Sequence, residues 1–79
     1  MQEAAEAKAQ RIVKAELSKR KWDEQDLAER RKGDPVKVAM AQRLRRETTV
    51  TLAWIAARLQ MGTQAHVAHL LYWSKRSKK

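Results

Sequence analysis

His66 and His69 stand three residues apart in the stretch Gln64-Ala65-His66-Val67-Ala68-His69-Leu70-Leu71, a spacing that puts both imidazoles on one face of a helix. Two such rings are half of a metal site, and a catalytic metal needs at least a third protein ligand. The chain has no cysteine, and from Thr48 to its end it has no carboxylate. A metal is therefore not expected. Nor can a nucleophile–base pair or a carboxylate dyad be assembled from residues 34–79, so the residues predict no enzyme, no cofactor and no small-molecule substrate. The same side chains suit recognition better. Gln64 and His66, with Ala65 and His69 beside them, are candidate readers of base edges, since Gln pairs bidentately with adenine while His is less informative.

Charge points to the same kind of partner. The chain has 79 residues, 18 Lys/Arg against 9 Asp/Glu, and a net charge of +9. The excess is uneven. Residues 1–33 carry nine basic and seven acidic residues, whereas residues 34–79 carry nine basic and only two acidic, Asp34 and Glu47. Solubility needs charge of either sign, so removing carboxylates from one end is a bias toward phosphates. Arg43, Arg45, Arg46 and Arg58 are the leading candidates for phosphate contacts, with Lys75 and Arg76 in the basic tail. Thr49, Thr51 and Thr63 could donate hydroxyls, although helix capping explains Thr51 and Thr63 equally well.

These residues have to be positioned by helices. The chain has two Gly and one Pro, and the absence of cysteine excludes a disulfide framework and a Cys-ligated zinc finger. Residues 2–20 read as one helix with a thin stripe of Ala5, Ala9, Ile12, Val13 and Leu17, expected to dock only lightly. Glu16 with Lys19 and Arg20 looks like a solvated face of it. Asp23 caps a second helix to about Arg31, with Leu27 and Ala28 inward. Arg30, Arg31 and Lys32 would then complement its dipole and Gly33 would follow as C′. Asp34-Pro35 starts a third helix to about Arg46, with Val36, Met40 and Leu44 as its stripe. A fourth, about 52–60, places Leu52, Ile55, Ala56 and Leu59 at i, i+3, i+4 and i+7. Met61-Gly62-Thr63 is a turn, and a fifth helix over 64–75 buries Val67, Leu70 and Leu71. Trp54, Tyr72 and Trp73 read as packing residues.

The last two helices and their turn match a helix-turn-helix. Ala56 is small enough for a close crossing, Gly62 permits a tight reversal, and Val67, Leu70 and Leu71 anchor the second helix while its N-terminal half stays free for a groove. The twelve-residue interval from Ile55 to Val67 is similar to that of Trp repressor and of bacterial replication initiators. The fold expected is thus all-α, a small bundle of about five helices ending in a Trp-repressor-like helix-turn-helix. Residues 1–22 would form a charged N-terminal helix, and residues 23–79 a DNA-binding domain with a basic tail.

A longer resemblance extends this. The stretch RRKGDPVKVAMAQRLRRETTVTLAWIAARLQMGTQAHVAHLLYW, residues 30–73, resembles the C-terminal part of bacterial transposase-like proteins related to the REP-associated tyrosine transposases; EAKAQRIVKAELSKRKW, residues 6–22, resembles the segment preceding it. RRETTVTLAWIAARLQMGT is the most specific part. The resemblance implies the DNA-binding part of such a protein. In that family, catalysis belongs to a separate upstream module with a His-hydrophobic-His metal site and a nucleophilic Tyr, and no such motif stands in these residues.

The function expected is recognition of double-stranded DNA, with helix 64–75 in the major groove. Basic helices also grip RNA, and the first helix could dimerise, so RNA binding and homodimer formation through that helix are alternatives. No apolar run approaches the length that crosses a bilayer and no secretory signal is visible, so a cytoplasmic, nucleoid-associated location without membrane contact is expected.

Overall fold

A computed structural model describes residues 4–77, with side chains through residue 73. It contains five helices and, among the described residues, no strand: α1 Ala5–Arg20, α2 Glu24–Glu29, α3 Pro35–Glu47, α4 Leu52–Arg58 and α5 Gln64–Ser77. The chain is all-α, as its periodicity predicts. None of the helices is long and apolar enough to cross a membrane among the described residues. α3 is the hub: it packs on α1, α4 and α5, and α4 packs on α5.

Local chemistry starts each of the last four helices. Asp23 forms a reciprocal capping box with Asp26 at α2. Asp34 accepts from the Val36 amide at 2.8 Å, ahead of Pro35 at the first helical position of α3. Thr51 accepts from the Trp54 amide at 3.0 Å, and Thr63 from the His66 amide at 3.1 Å. Helix ends owe less to glycine than the sequence suggests. α1 stops where Lys21 enters the left-handed region at φ 60° and the Trp22 amide reaches back to the Leu17 carbonyl. α4 ends the same way, at Arg58 rather than near residue 60: Gln60 takes φ 56° and the Met61 amide donates to the Ala56 carbonyl. Gly62, at φ +93°, then completes the turn into α5.

One core holds all five helices together. Ala9, Ile12, Val13 and Leu17 of α1 join Leu27, Met40, Ala41, Leu44, Val50, Ile55, Ala56, Leu59, Met61 and Val67 in it. The expected light docking of α1 is therefore corrected. Its small residues Ala9 and Val13 are fully buried, which lets the helix axis approach the bundle closely. Burying Ile12, Val13 and Leu17 contributes about 1.5–3 kcal/mol each. Glu16, expected on a solvated face, is only 5% exposed. α2 is shorter than expected: it ends at Glu29 with Leu27 buried, Ala28 exposed and no basic residue in its last turn, so Gly33 does not terminate it.

What closes α2 is a lysine from another helix. Lys37 is completely buried, in the first turn of α3, and its Nζ donates to the carbonyls of Leu27 at 2.7 Å, Arg30 at 2.9 Å and Gln60 at 3.2 Å. Three acceptors match the three hydrogens of an ammonium, whereas a neutral amine has only two to offer. Burial holds the pKa below its ordinary value of 10.5, and the charge of Asp34 works in the opposite direction. The inward face of α3 is consequently Lys37, Met40, Ala41 and Leu44, rotated from the expected Val36, Met40 and Leu44. Replacing Lys37 by Met keeps the aliphatic stem and removes all three donors. Lys37→Met is expected to cost about 1–3 kcal/mol, because carbonyls at two helix ends lose their partner. Urea unfolding would show it as a lower midpoint at unchanged slope.

Candidate nucleic-acid interface

α5 is anchored on one side and open on the other. Val67 is fully buried, Leu70 and Leu71 are half-buried against the core, and Gln64, Ala65, His66, Ala68 and His69 are exposed. All four expected base readers therefore share the open surface of one helix, with Ala68 among them, and the small side chains of Ala65 and Ala68 keep it low. α5 carries no acidic residue. The His66 amide is taken up by the Thr63 hydroxyl, and His66 and His69 are both exposed. Among the described residues no group of three or more His, Cys, Asp or Glu side chains is placed to hold a metal ion.

Tyr72 and Trp73 depart from expectation. Rather than packing inward they are 56% and 50% exposed, on the half of α5 beyond Leu71. Trp73 meets His69 edge-on at 5.8 Å between centroids and Tyr72 edge-on at 5.9 Å, so the three rings form a small cluster on the helix surface. The physical reason is registry. Val67, Leu70 and Leu71 are the α5 residues that pack against the core, and 72 and 73 fall on the outward arc. Trp54, by contrast, does pack against the core.

The arginines divide into two groups. Arg43 donates to Glu16 at 2.7 Å and to Glu47 at 3.1 Å, tying α3 to α1. Arg58 is bidentate to Glu24, both bonds 2.8 Å, and its Nε donates to Gln10 at 2.7 Å, tying α4 to α2 and α1. Both guanidinium charges are thus matched by carboxylates of neighbouring helices. Arg45 and Arg46 remain exposed. Arg46 reaches Glu47 only at 3.8 Å with its side chain 70% open, and Arg45 makes a long contact of 3.4 Å to the Val50 carbonyl. Thr49 is exposed between them and α4, while Thr51 and Thr63 serve as caps. Lys75 and Arg76 lie on the last turns of α5, and their side chains are outside the described residues.

Sequence reasoning could not foresee the pairings of Arg43 and Arg58, because their partners are 27, 34 and 48 residues away. It also missed Lys37, whose only signal was a lysine at a position flanked by core residues of α3. The carboxylates carry the mirror image of these contacts. Burial raises the Glu16 pKa, but hydrogen bonds from Arg43 and Arg20, with the charges of Arg20 and Lys19, outweigh it and hold the group below 4.5. Glu24 is lowered as well, chiefly by its hydrogen bonds from Arg58.

No protein-family profile, curated protein or solved structure matches the chain.

Folding favours ionised Glu16, so its contribution is complete above pH about 4.5 and is lost as pH falls through the lowered folded value. Glu16→Gln is expected to cost about 1–3 kcal/mol near neutral pH by leaving Arg43 and Arg20 short of their acceptor. It should also flatten the decline of stability below pH 4.5, measured by urea titration at a series of pH values.

Proposed function

We propose that this chain is a double-stranded DNA-binding module in which α4, the Met61-Gly62-Thr63 turn and α5 act as a helix-turn-helix, with α5 entering the major groove. The observation that carries the reading is the surface of α5. An acid-free helix is held by Val67, Leu70 and Leu71 and presents Gln64, Ala65, His66, Ala68 and His69 together to solvent. Groove entry requires this division of labour, with apolar residues fixing the helix and short or polar ones reaching outward. Gln64 and His66 are the proposed base readers, and Ala65 offers a methyl that fits against thymine.

Phosphate contacts are assigned to Arg45, Arg46 and Thr49, which are exposed, and to Lys75 and Arg76 of the tail. Arg43 and Arg58 take a supporting part, since their charges are already matched by Glu16, Glu47 and Glu24. The resemblance of residues 30–73 to the C-terminal part of transposase-like proteins agrees with a recognition role in which chemistry is done elsewhere.

One observation favours a second reading. Exposed Tyr72 and Trp73 could stack on unpaired bases, which duplex DNA does not offer and RNA loops do. Dimerisation through α1 has less support, because the apolar stripe of that helix is already used in the core.

Binding of a labelled random-sequence DNA duplex across a salt series tests the proposal. Affinity is expected to fall steeply with salt, with a log–log slope of about −0.9 for each phosphate neutralised. Arg46→Gln should make that slope shallower by about one contact. Gln64→Ala with His66→Ala should leave the slope alone and erase preferences among sequences selected from the library. Association that ignores salt, or no binding to any duplex, would overturn the reading. Stronger competition by a matched RNA would favour the RNA alternative.

A further inference from the structure

The Arg30-Arg31-Lys32 run puts no basic residue in the last turn of α2, which ends at Glu29 with the Arg30 backbone as its C-cap. Its position is set instead by tertiary contacts. The carbonyls of Arg30 and Gln60 accept from the same buried ammonium, so the segment leaving α2 is clamped beside the turn between α4 and α5. Arg30 itself is occupied: its guanidinium lies 4.4 Å over the Trp22 ring and 3.8 Å from Asp26. Two residues on, the stem of Lys32 crosses Gly62. A Cβ at Gly62 would stand 3.3 Å from Lys32 Cδ and 3.8 Å from His66 Cδ2. Gly33 continues along α5, where a Cβ would meet Leu70 Cδ2 at 3.6 Å. Gly62 is thus needed twice, for its positive φ and for the clearance it gives the lysine.

Lys32 is exposed, and its ammonium makes no hydrogen bond or ion pair among the described residues. It differs in this from Lys37, Arg43 and Arg58, whose charges are spent inside the bundle. It also stands beside His66, at the end of α5 where the base readers lie.

We infer that Lys32 is a phosphate-contacting residue of the α5 interface, delivered to its rim by the Lys37 clamp. The inference rests on the reading of α5 as the helix that faces nucleic acid. A stem already laid over Gly62 has less rotamer freedom to lose when its ammonium closes on a phosphate, so this lysine is better placed than one on a free surface. Lys37 acts here as a positioning residue, through backbone carbonyls and without touching the ligand.

The test uses the full chain and a labelled random-sequence DNA duplex, titrated at several salt concentrations, with Lys32→Gln, Lys32→Arg and, as an equal loss of charge near the start of α1, Lys8→Gln. Lys32→Gln is expected to weaken binding about three- to tenfold at moderate salt and to make the log–log slope shallower by about 0.9. Lys32→Arg should restore the slope, and Lys8→Gln should leave it near that of the native chain. Thermal unfolding of all three variants should match the native chain, since the Lys32 ammonium makes no hydrogen bond or ion pair among the described residues. A native slope in Lys32→Gln, or equal flattening in Lys8→Gln, would overturn the inference while leaving the DNA reading intact. A native chain that shows no salt-dependent duplex binding would take both down.

Discussion

The bundle depends on one buried ammonium. Lys37 sits where α3 faces the end of α2 and the turn after α4, and there three carbonyls have no helical amide to receive. A short helix such as α2, six residues long, leaves most of its carbonyls without internal partners. Capping by glycine or by a local side chain would satisfy one end at a time. A lysine from a third element satisfies carbonyls from two ends and fixes their spacing, at the cost of desolvating a charge. Because the Gln60 and Arg30 carbonyls share this donor, the geometry of the α4–α5 turn and of the segment before α3 are one feature.

Two carboxylate–arginine systems complete the frame around that clamp. Glu16 receives Arg43 and Arg20, and Glu24 receives Arg58, so α1 and α2 are each held to a helix from the later part of the chain. Residues 1–33, nearly balanced in charge, supply Glu16 and Glu24, which neutralise arginines of the basic part. Net charge by segment therefore overstates how much positive potential the C-terminal part presents. After Lys37, Arg43 and Arg58 are set aside, the exposed cations of residues 34–73 are Arg45 and Arg46, with Lys32 just ahead of them. Fewer charges in fixed places favour a defined contact surface over diffuse attraction.

α5 joins these two themes at the proposed interface. Its inner side is secured by three apolar residues, its first turn by the Thr63 cap and its position by the clamped turn, leaving its outer side free of structural duties. The aromatic cluster of His69, Tyr72 and Trp73 occupies the distal half of that outer side. Polar, small and aromatic residues are thus combined on the outer side of one helix, the surface on which the proposed recognition role rests.

Much of this was legible in the sequence, and the boundary between what was and what was not follows from the range of the interactions. Apolar periodicity and caps are local: Asp23, Asp34-Pro35, Thr51 and Thr63 mark the starts of four helices, and Val67, Leu70 and Leu71 mark the inner side of α5, within a few residues of each other. An all-α chain with five helices was determined at that level. The side-chain partners of Arg43, Arg58 and Lys37 were not, because nothing local distinguishes a lysine or arginine facing solvent from one facing a distant carboxylate or carbonyl. Nor could periodicity place Glu16 in the interior or Tyr72 and Trp73 outside it, since a helix repeats its faces and only its neighbours decide which are covered. The sequence by itself determined the elements and the sign of the charge. Only the tertiary structure decided which charges are spent in holding the bundle together and which remain exposed, because that partition depends on groups brought within 3.2 Å across tens of residues of chain.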